Sequence, residues 1–185
     1  MLKDYSIFLV VLGGRCNEAN IELHDVRWVV GSKIEDTFQE LKSQWFGDKN
    51  SIHIDSYIKI NYIEGFKIVC TKKDSSNINP LAGKDKKHLW FVNFGGYKDN
   101  SMFELHQFDL FIASSSTEAV KKARNKLLLG TKKRHKDDIS DFCKNETIDD
   151  IHKLNNFNGW EISIIKDPYK RSQVIKPDWF GYLKL

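Results

Sequence analysis

The chain has 185 residues, 41% of them hydrophobic and 29% charged, which suits one compact domain or two small ones with a buried core. Its net charge of +4 does not lie on the body: residues 7–70 carry 7 basic and 9 acidic side chains and 89–165 carry 11 of each, while 71–88 and 166–185 each carry 5 basic and 2 acidic. A basic groove for nucleic acid is therefore not expected. Nor is a membrane span, which needs roughly 18–20 consecutive apolar residues.

The first element is "YSIFLVVL" (5–12), an apolar run stopped by Gly13-Gly14. It reads as a buried strand, not a signal peptide, because Asp4 precedes it and no small-residue cleavage site follows. "DVRWVVG" (25–31) alternates, with Val26, Trp28 and Val30 on one face of a second strand. Ser32-Lys33-Ile34-Glu35 fits a capping box, and Ile34, Phe38, Leu41 and Trp45 follow at helical spacing. "YIKINYI" and "GFKIVC" read as two further strands. The polar stretch 71–87, with Pro80 and Gly83, reads as a linker.

The same order then returns. "LWFVNF" (89–94) ends in Gly95-Gly96, and "QFDLFIA" (107–113) alternates. Ser115-Ser116-Thr117-Glu118 offers the capping box, followed by Val120, Ala123 and Leu127. "GWEISII" is a strand, whereas 135–157 is longer and more polar than its counterpart, with room for helix. The tail 166–185 has no partner in the first copy; its Trp179, Phe180 and Tyr182 point to docking on the body or on a second chain.

Sliding the chain on itself by 82 residues turns this likeness into a register. Gly13 and Gly14 fall on Gly95 and Gly96, Glu22-Leu23-His24 on Glu104-Leu105-His106, and Ser32 on Ser114. His53 and Asp55 fall on His135 and Asp137, giving eight identities in the 43 positions of 13–55 without a gap. Core positions drift between the copies, as packing allows: Trp28 becomes Leu110, Phe38 becomes Val120 and Trp45 becomes Leu127. The identities fall instead on glycine, glutamate, histidine and aspartate.

These residues are the candidate site. Each Gly-Gly pair suits a turn, a close approach of two backbones or a backbone site for an anion. Glu22 and His24 are two apart, so in an extended segment they share the side of Val26, Trp28 and Val30, at the rim of the core. Ile52, Ile54, Ile58 and Ile60 define the buried face of the later segment, so His53 and Asp55 look the other way. If the two segments meet, His24, His53 and Asp55, with Glu22, are ligand types for a divalent metal; otherwise a carboxylate orients a histidine and braces the fold. Cys16 could act as a nucleophile beside His24, but its counterpart is Lys98, so the repeated feature holds no thiol. Cys16, Cys70 and Cys143 form no metal or disulfide pattern, which points to a reducing, cytoplasmic setting.

The runs "LGGR", "NIELHDVRWVVG", "IEDTFQELKSQWFG" and "HIDSY" resemble the bacterial family of the domain of unknown function 1543, which occurs in one or two copies per chain. The most specific run is Asn20-Ile21-Glu22-Leu23-His24-Asp25; copy two has Met102 and Gln107 at the positions of Asn20 and Asp25. The resemblance implies no activity.

The expectation is an α+β protein of two tandem β-β-α-β-β repeats related by a pseudo-two-fold and packed as one unit. Copy one is 1–70, the linker 71–88, copy two 89–165 and the tail 166–185. Candidate ligand-binding residues are Gly13, Gly14, Asn20, Glu22, His24, Asp25, His53 and Asp55, with Glu104, His106, His135 and Asp137 in copy two. A small-molecule or metal site there stands against a non-catalytic interaction module, homodimeric or otherwise, whose repeated residues are braces. The sequence leaves open whether the protein is an enzyme.

Overall fold

The structure is a computed structural model that describes residues 4–73, 87–131, 133–134 and 150–185. Among the described residues it is α+β, mostly strand with two short helices, and the chain divides into two compact units. One unit takes Met1–Lys72 with Ile165–Leu185, and the other takes Lys73–Ile164. Most of the expected linker, residues 74–86, lies outside the described residues.

In the first unit β1 (Ser6–Gly14) pairs antiparallel with β2 (Leu23–Gly31) on one side and β3 (His53–Ile60) on the other. The last strand of the chain, β12 (Trp179–Lys184), pairs with β3, giving the order β12-β3-β1-β2. A 3-10 turn (Ile34–Thr37) and helix α1 (Phe38–Gln44) connect β2 to β3. A short hairpin, β4 (Tyr62–Ile63) and β5 (Phe66–Lys72), follows β3. β1 runs through Gly13-Gly14 instead of stopping before them.

Paired residues in an antiparallel ladder point to the same side, so the register sorts the core. Phe8, Val10 and Leu12 face the helix, where they pack with Val29, Ile34, Leu41, Trp45, Ile52 and Ile54. Ile7 and Leu9 face away, opposite Ile60 and Ile58. Both sides of the sheet are buried. Ile52, just before β3, and Ile54, Ile58 and Ile60 within it do not share a face, contrary to simple alternation. Val11 pairs with Ser56 while Leu12 pairs with Ile54, which leaves Asp55 as the extra residue of a β-bulge. The bulge flips the parity: Ile54 lies on the helix side, and Ile58 and Ile60 lie on the far side.

In the second unit β6 (His88–Tyr97) pairs with β7 (Leu105–Ala113) in the register of β1 and β2 shifted by 82: Gly13 faces His24, and Gly95 faces His106. Helix α2 (Ser116–Arg124) covers Val92, Phe94 and Phe111 with Val120 and Ala123, and Leu127 joins them from the turn just after the helix. β8 (Lys133–Arg134) and β9 (Asp150–Lys153) pair with β6, and β10 (Asn156–Phe157) makes a hairpin with β11 (Trp160–Lys166). Part of the polar stretch 135–157 is thus strand at 150–153 and 156–157, and residues 135–149 lie outside the described residues.

The helix entries repeat in detail. Ser114 donates its N–H and hydroxyl to one Glu118 carboxylate oxygen at 2.8 and 2.5 Å, and Ser115 Oγ accepts the Glu118 N–H. These bonds hold the Glu118 carboxyl below the usual range. In copy one Ser32 does the same to Asp36 at 3.2 and 2.5 Å. The acid is Asp36 and not Glu35, because the N-cap is Lys33, one residue later than expected, which puts Asp36 at the position that Glu118 holds in copy two.

Candidate functional site

Glu22, His24, His53 and Asp55 do meet, on the side of the sheet away from α1. Gly13 sits between His24 on β2 and His53 on β3. The bulge at Asp55 aims its carboxylate between the two imidazoles: Asp55 Oδ2 is 3.2 Å from His24 Nε2 and Asp55 Oδ1 is 3.2 Å from His53 Nε2. Glu22 Oε1 lies 3.6 Å from the same His53 nitrogen. His53 Nδ1 is 3.1 Å from the Ser51 carbonyl, which only accepts, so Nδ1 carries a hydrogen and Nε2 is turned to the carboxylates.

The His53 side chain is 2% exposed. Tyr182 of the tail stacks on it at 4.1 Å between ring centroids. The tail can place that ring because β12 carries its own irregularity across from Asp55: Phe180 pairs with Ser56 and Leu183 with Ile54, with Gly181 and Tyr182 between them. Gly181 has φ +151, a conformation that essentially only glycine adopts. Beneath the imidazole, a Cβ on Gly13 would come within 2.5 Å of His53 Nε2. A Cβ on Gly14 would come within 2.8 Å of the Trp45 indole. In copy one Gly13-Gly14 thus serves close approach, of side chain onto backbone, and neither residue has positive φ.

Other candidates fall elsewhere. His24 lies on the expected face but is 54% exposed and His106 is 53% exposed, so both are open to solvent and not tucked at the core rim. Asp25 pairs with Leu12 and so points to the helix side, where it binds Arg27 at 2.5 Å and accepts the Val26 N–H at 2.7 Å. Asn20 is exposed in the loop before β2. In copy two Glu104 approaches His106 at 3.7 Å, and Asn93 lies 3.5 Å from His106 Nδ1. His135 and Asp137 lie outside the described residues.

Among the described residues no group of three or more histidine, cysteine, aspartate or glutamate side chains is disposed to hold a metal ion. The nitrogens that a metal would use already face carboxylates of the same chain. Burial pushes the Cys70 thiol up to about 11. Among the described residues no helix is long and apolar enough to cross a membrane.

Sequence reasoning named Tyr182 as part of a docking tail but did not place it on His53, and it missed Ser51. The aromatic tail was the only signal for the first, and the second acts through its carbonyl, which no residue type reveals.

An α+β chain with one ladder register repeated and the same Gly, Glu and His on equivalent rungs defines a tandem repeat protein. The family model described as Domain of Unknown Function (DUF1543) matches residues 19–70 and 101–142, and the chain belongs to that family, in two copies. A solved structure, the crystal structure of a protein Il1583 from Idiomarina loihiensis, is similar over 97% of both chains, with 29% identity and a TM-score of 0.68. No curated protein matches the chain.

Proposed function

We propose that this protein is a non-catalytic interaction module of the cytoplasm: the Glu-x-His and His-x-Asp residues brace its fold, and the tail is its contact surface. The brace reading rests on the enclosure of His53 by Ser51, Asp55, Glu22, Tyr182 and Gly13, which leaves a ligand no open side of that ring. A cytoplasmic setting agrees with Cys16 and Cys70 being free thiols.

The observation that carries the interaction reading is a contrast within the tail. Its backbone is firmly fastened to the first unit, yet it holds large apolar side chains in water. Gln173 accepts the Asn61 and Tyr62 N–H groups at 2.7 and 3.0 Å and donates to the Lys59 carbonyl. Asp178 accepts the Lys59 N–H at 2.7 Å, and Ser172 accepts that of Glu64 at 3.0 Å. On this anchored strap Phe180 is 79% exposed and Tyr182 67%. Apolar side chains fixed in solvent on an outer strand mark a contact surface.

The occupant is a second copy of the chain. Asp178 and Lys184 lie three residues either side of Gly181, and Phe180 and Tyr182 lie one either side. Two tails running antiparallel would set each Asp178 beside the other Lys184, and each Phe180 against the other Tyr182. That is the self-complementary pattern an isologous dimer needs. The irregularity at Gly181 blunts the strand edge, so the contact is made by side chains and not by an added ladder.

Light scattering during gel filtration tests this. The wild type is expected at twice the chain mass at micromolar concentration, and Phe180→Lys and Lys184→Asp at the chain mass with unchanged circular dichroism. A wild type that stays monomeric across the range overturns the dimer. Metal analysis of untagged protein separates the alternative: stoichiometric zinc or manganese lost in His24→Ala would overturn the brace.

A further inference from the structure

Cys16 and Trp45 form a second feature of copy one, and the function proposed above does not use them. Trp45 is 1% exposed, yet its indole Nε1 has no hydrogen-bond partner among the described residues. A buried donor left without an acceptor is costly, and such groups call for an explanation. The indole nitrogen and the Cys16 sulfur converge on one place: a Cβ added to Gly47 would lie 2.8 Å from Trp45 Nε1 and 2.6 Å from Cys16 Sγ. A thiol is a weak acceptor, so the sulfur as it stands does little for the donor. The Arg15 carbonyl, also at this place, already accepts the Asp48 N–H.

Two comparisons inside the molecule single out this thiol. Both thiols are half-buried, but Cys70 lies on strand β5, where burial pushes its thiol up to about 11, away from the reactive thiolate form, whereas Cys16 lies in the loop after β1. In copy two Cys16 is replaced by Lys98 and Trp45 by Leu127, so thiol and indole are present together in one copy and absent together from the other.

We propose that Cys16 is a redox modification site, oxidised by a hydroperoxide to a sulfenic acid whose new oxygen accepts the Trp45 indole hydrogen. The thiolate sulfur attacks one peroxide oxygen. The S–O bond forms as the O–O bond breaks, sulfur gives up two electrons, and the other peroxide oxygen leaves as hydroxide from hydrogen peroxide or as alkoxide from an organic hydroperoxide, taking up the proton the thiol released to become water or an alcohol. A small thiol condenses with the sulfenic acid to a mixed disulfide and water, and a second small thiol displaces Cys16 from it, restoring the thiol and leaving the disulfide of the small thiol.

The test treats the full-length protein with one equivalent of hydrogen peroxide and traps sulfenic acid with dimedone, reading each cysteine by mass spectrometry. Cys16 is expected to label at least about tenfold faster than Cys70. In parallel, the Trp45 indole N–H resonance of peroxide-treated, untrapped protein is expected to move downfield as the sulfenate forms. With excess peroxide and no trap, Trp45→Phe, which keeps an aromatic ring and removes the donor, is expected to carry more sulfinic acid at Cys16 than the wild type. Equal labelling of Cys16 and Cys70 overturns the proposal. So does a Trp45 resonance that stays in place while Cys16 is sulfenylated, a result that does not depend on the variant folding.

Discussion

The two copies place Glu-Leu-His on the same rung of the same ladder, yet the histidines live differently. His106 in copy two is half exposed and has Glu104 and Asn93 beside it. His24 in copy one is equally exposed, but it joins, through Asp55, a second histidine that is almost fully enclosed. The triplet itself does not make the difference. Two irregularities side by side make it, one at Asp55 on β3 and one at Gly181-Tyr182 on β12, together with a tail that lays a tyrosine over the imidazole. Repetition preserves register, while neighbouring elements decide what a repeated side chain does.

The comparison breaks most severely at Gly13. A valine there drives a branched side chain into the His53 ring, and overpacking of that kind should cost about 3 kcal/mol in chemical denaturation. Gly159→Ala meets no neighbour within 4 Å and pays only for its positive φ, so it should cost about 1 kcal/mol. Equal losses would mean that the glycines matter only for backbone freedom.

The helix entries should behave alike where the histidines do not. Ser32→Ala and Ser114→Ala each remove a hydroxyl bound to a carboxylate four residues on, and each should cost about 1 kcal/mol. A loss confined to one copy would show that the copies differ at their helix entries as well.

The smallest effect is local and acidic. Asp167 binds the Arg171 guanidinium through both carboxylate oxygens and accepts the Arg171 N–H, which holds its carboxyl below the usual carboxylate range. A depressed folded value stabilises the folded tail above the ordinary aspartate range. That contribution is lost as pH falls through the folded value. The protection factor of the Gly65 amide, whose N–H donates to the Arg171 carbonyl, should fall on acidification in the wild type and be lowered already at neutral pH in Asp167→Asn. Unchanged protection in that variant would remove the clamp from the account.

The periodicities of the sequence carried the strands, the helices and the 82-residue register because each repeats a local pattern. The meeting of Glu22 and His24 with His53 and Asp55 was legible only as a condition, since it depends on β2 and β3 flanking β1. Burial of His53 was not legible. Simple alternation put Ile52, Ile54, Ile58 and Ile60 on one face, and a single extra residue at Asp55 splits them between two. A bulge is an agreement between strands far apart in the chain, and the one at Asp55 involves β12, more than a hundred residues away. Asp25 misled for a related reason: one step along β2 reverses the face.

The central claim is that the constellation in copy one holds the fold together, and thermal unfolding of His53→Ala beside His106→Ala tests it most directly. Removing the enclosed imidazole strands Asp55 and the Ser51 carbonyl and opens a void under Tyr182, a loss of about 2–4 kcal/mol. For a chain of this size that is a fall in Tm of roughly 5–15 °C. His106→Ala, at an exposed site, should stay within about 0.5 kcal/mol of the wild type, and EDTA should leave the wild-type curve where it is. A His53→Ala curve that overlays the wild type, or a wild type that drops to the His53→Ala value once EDTA is added, would contradict the account.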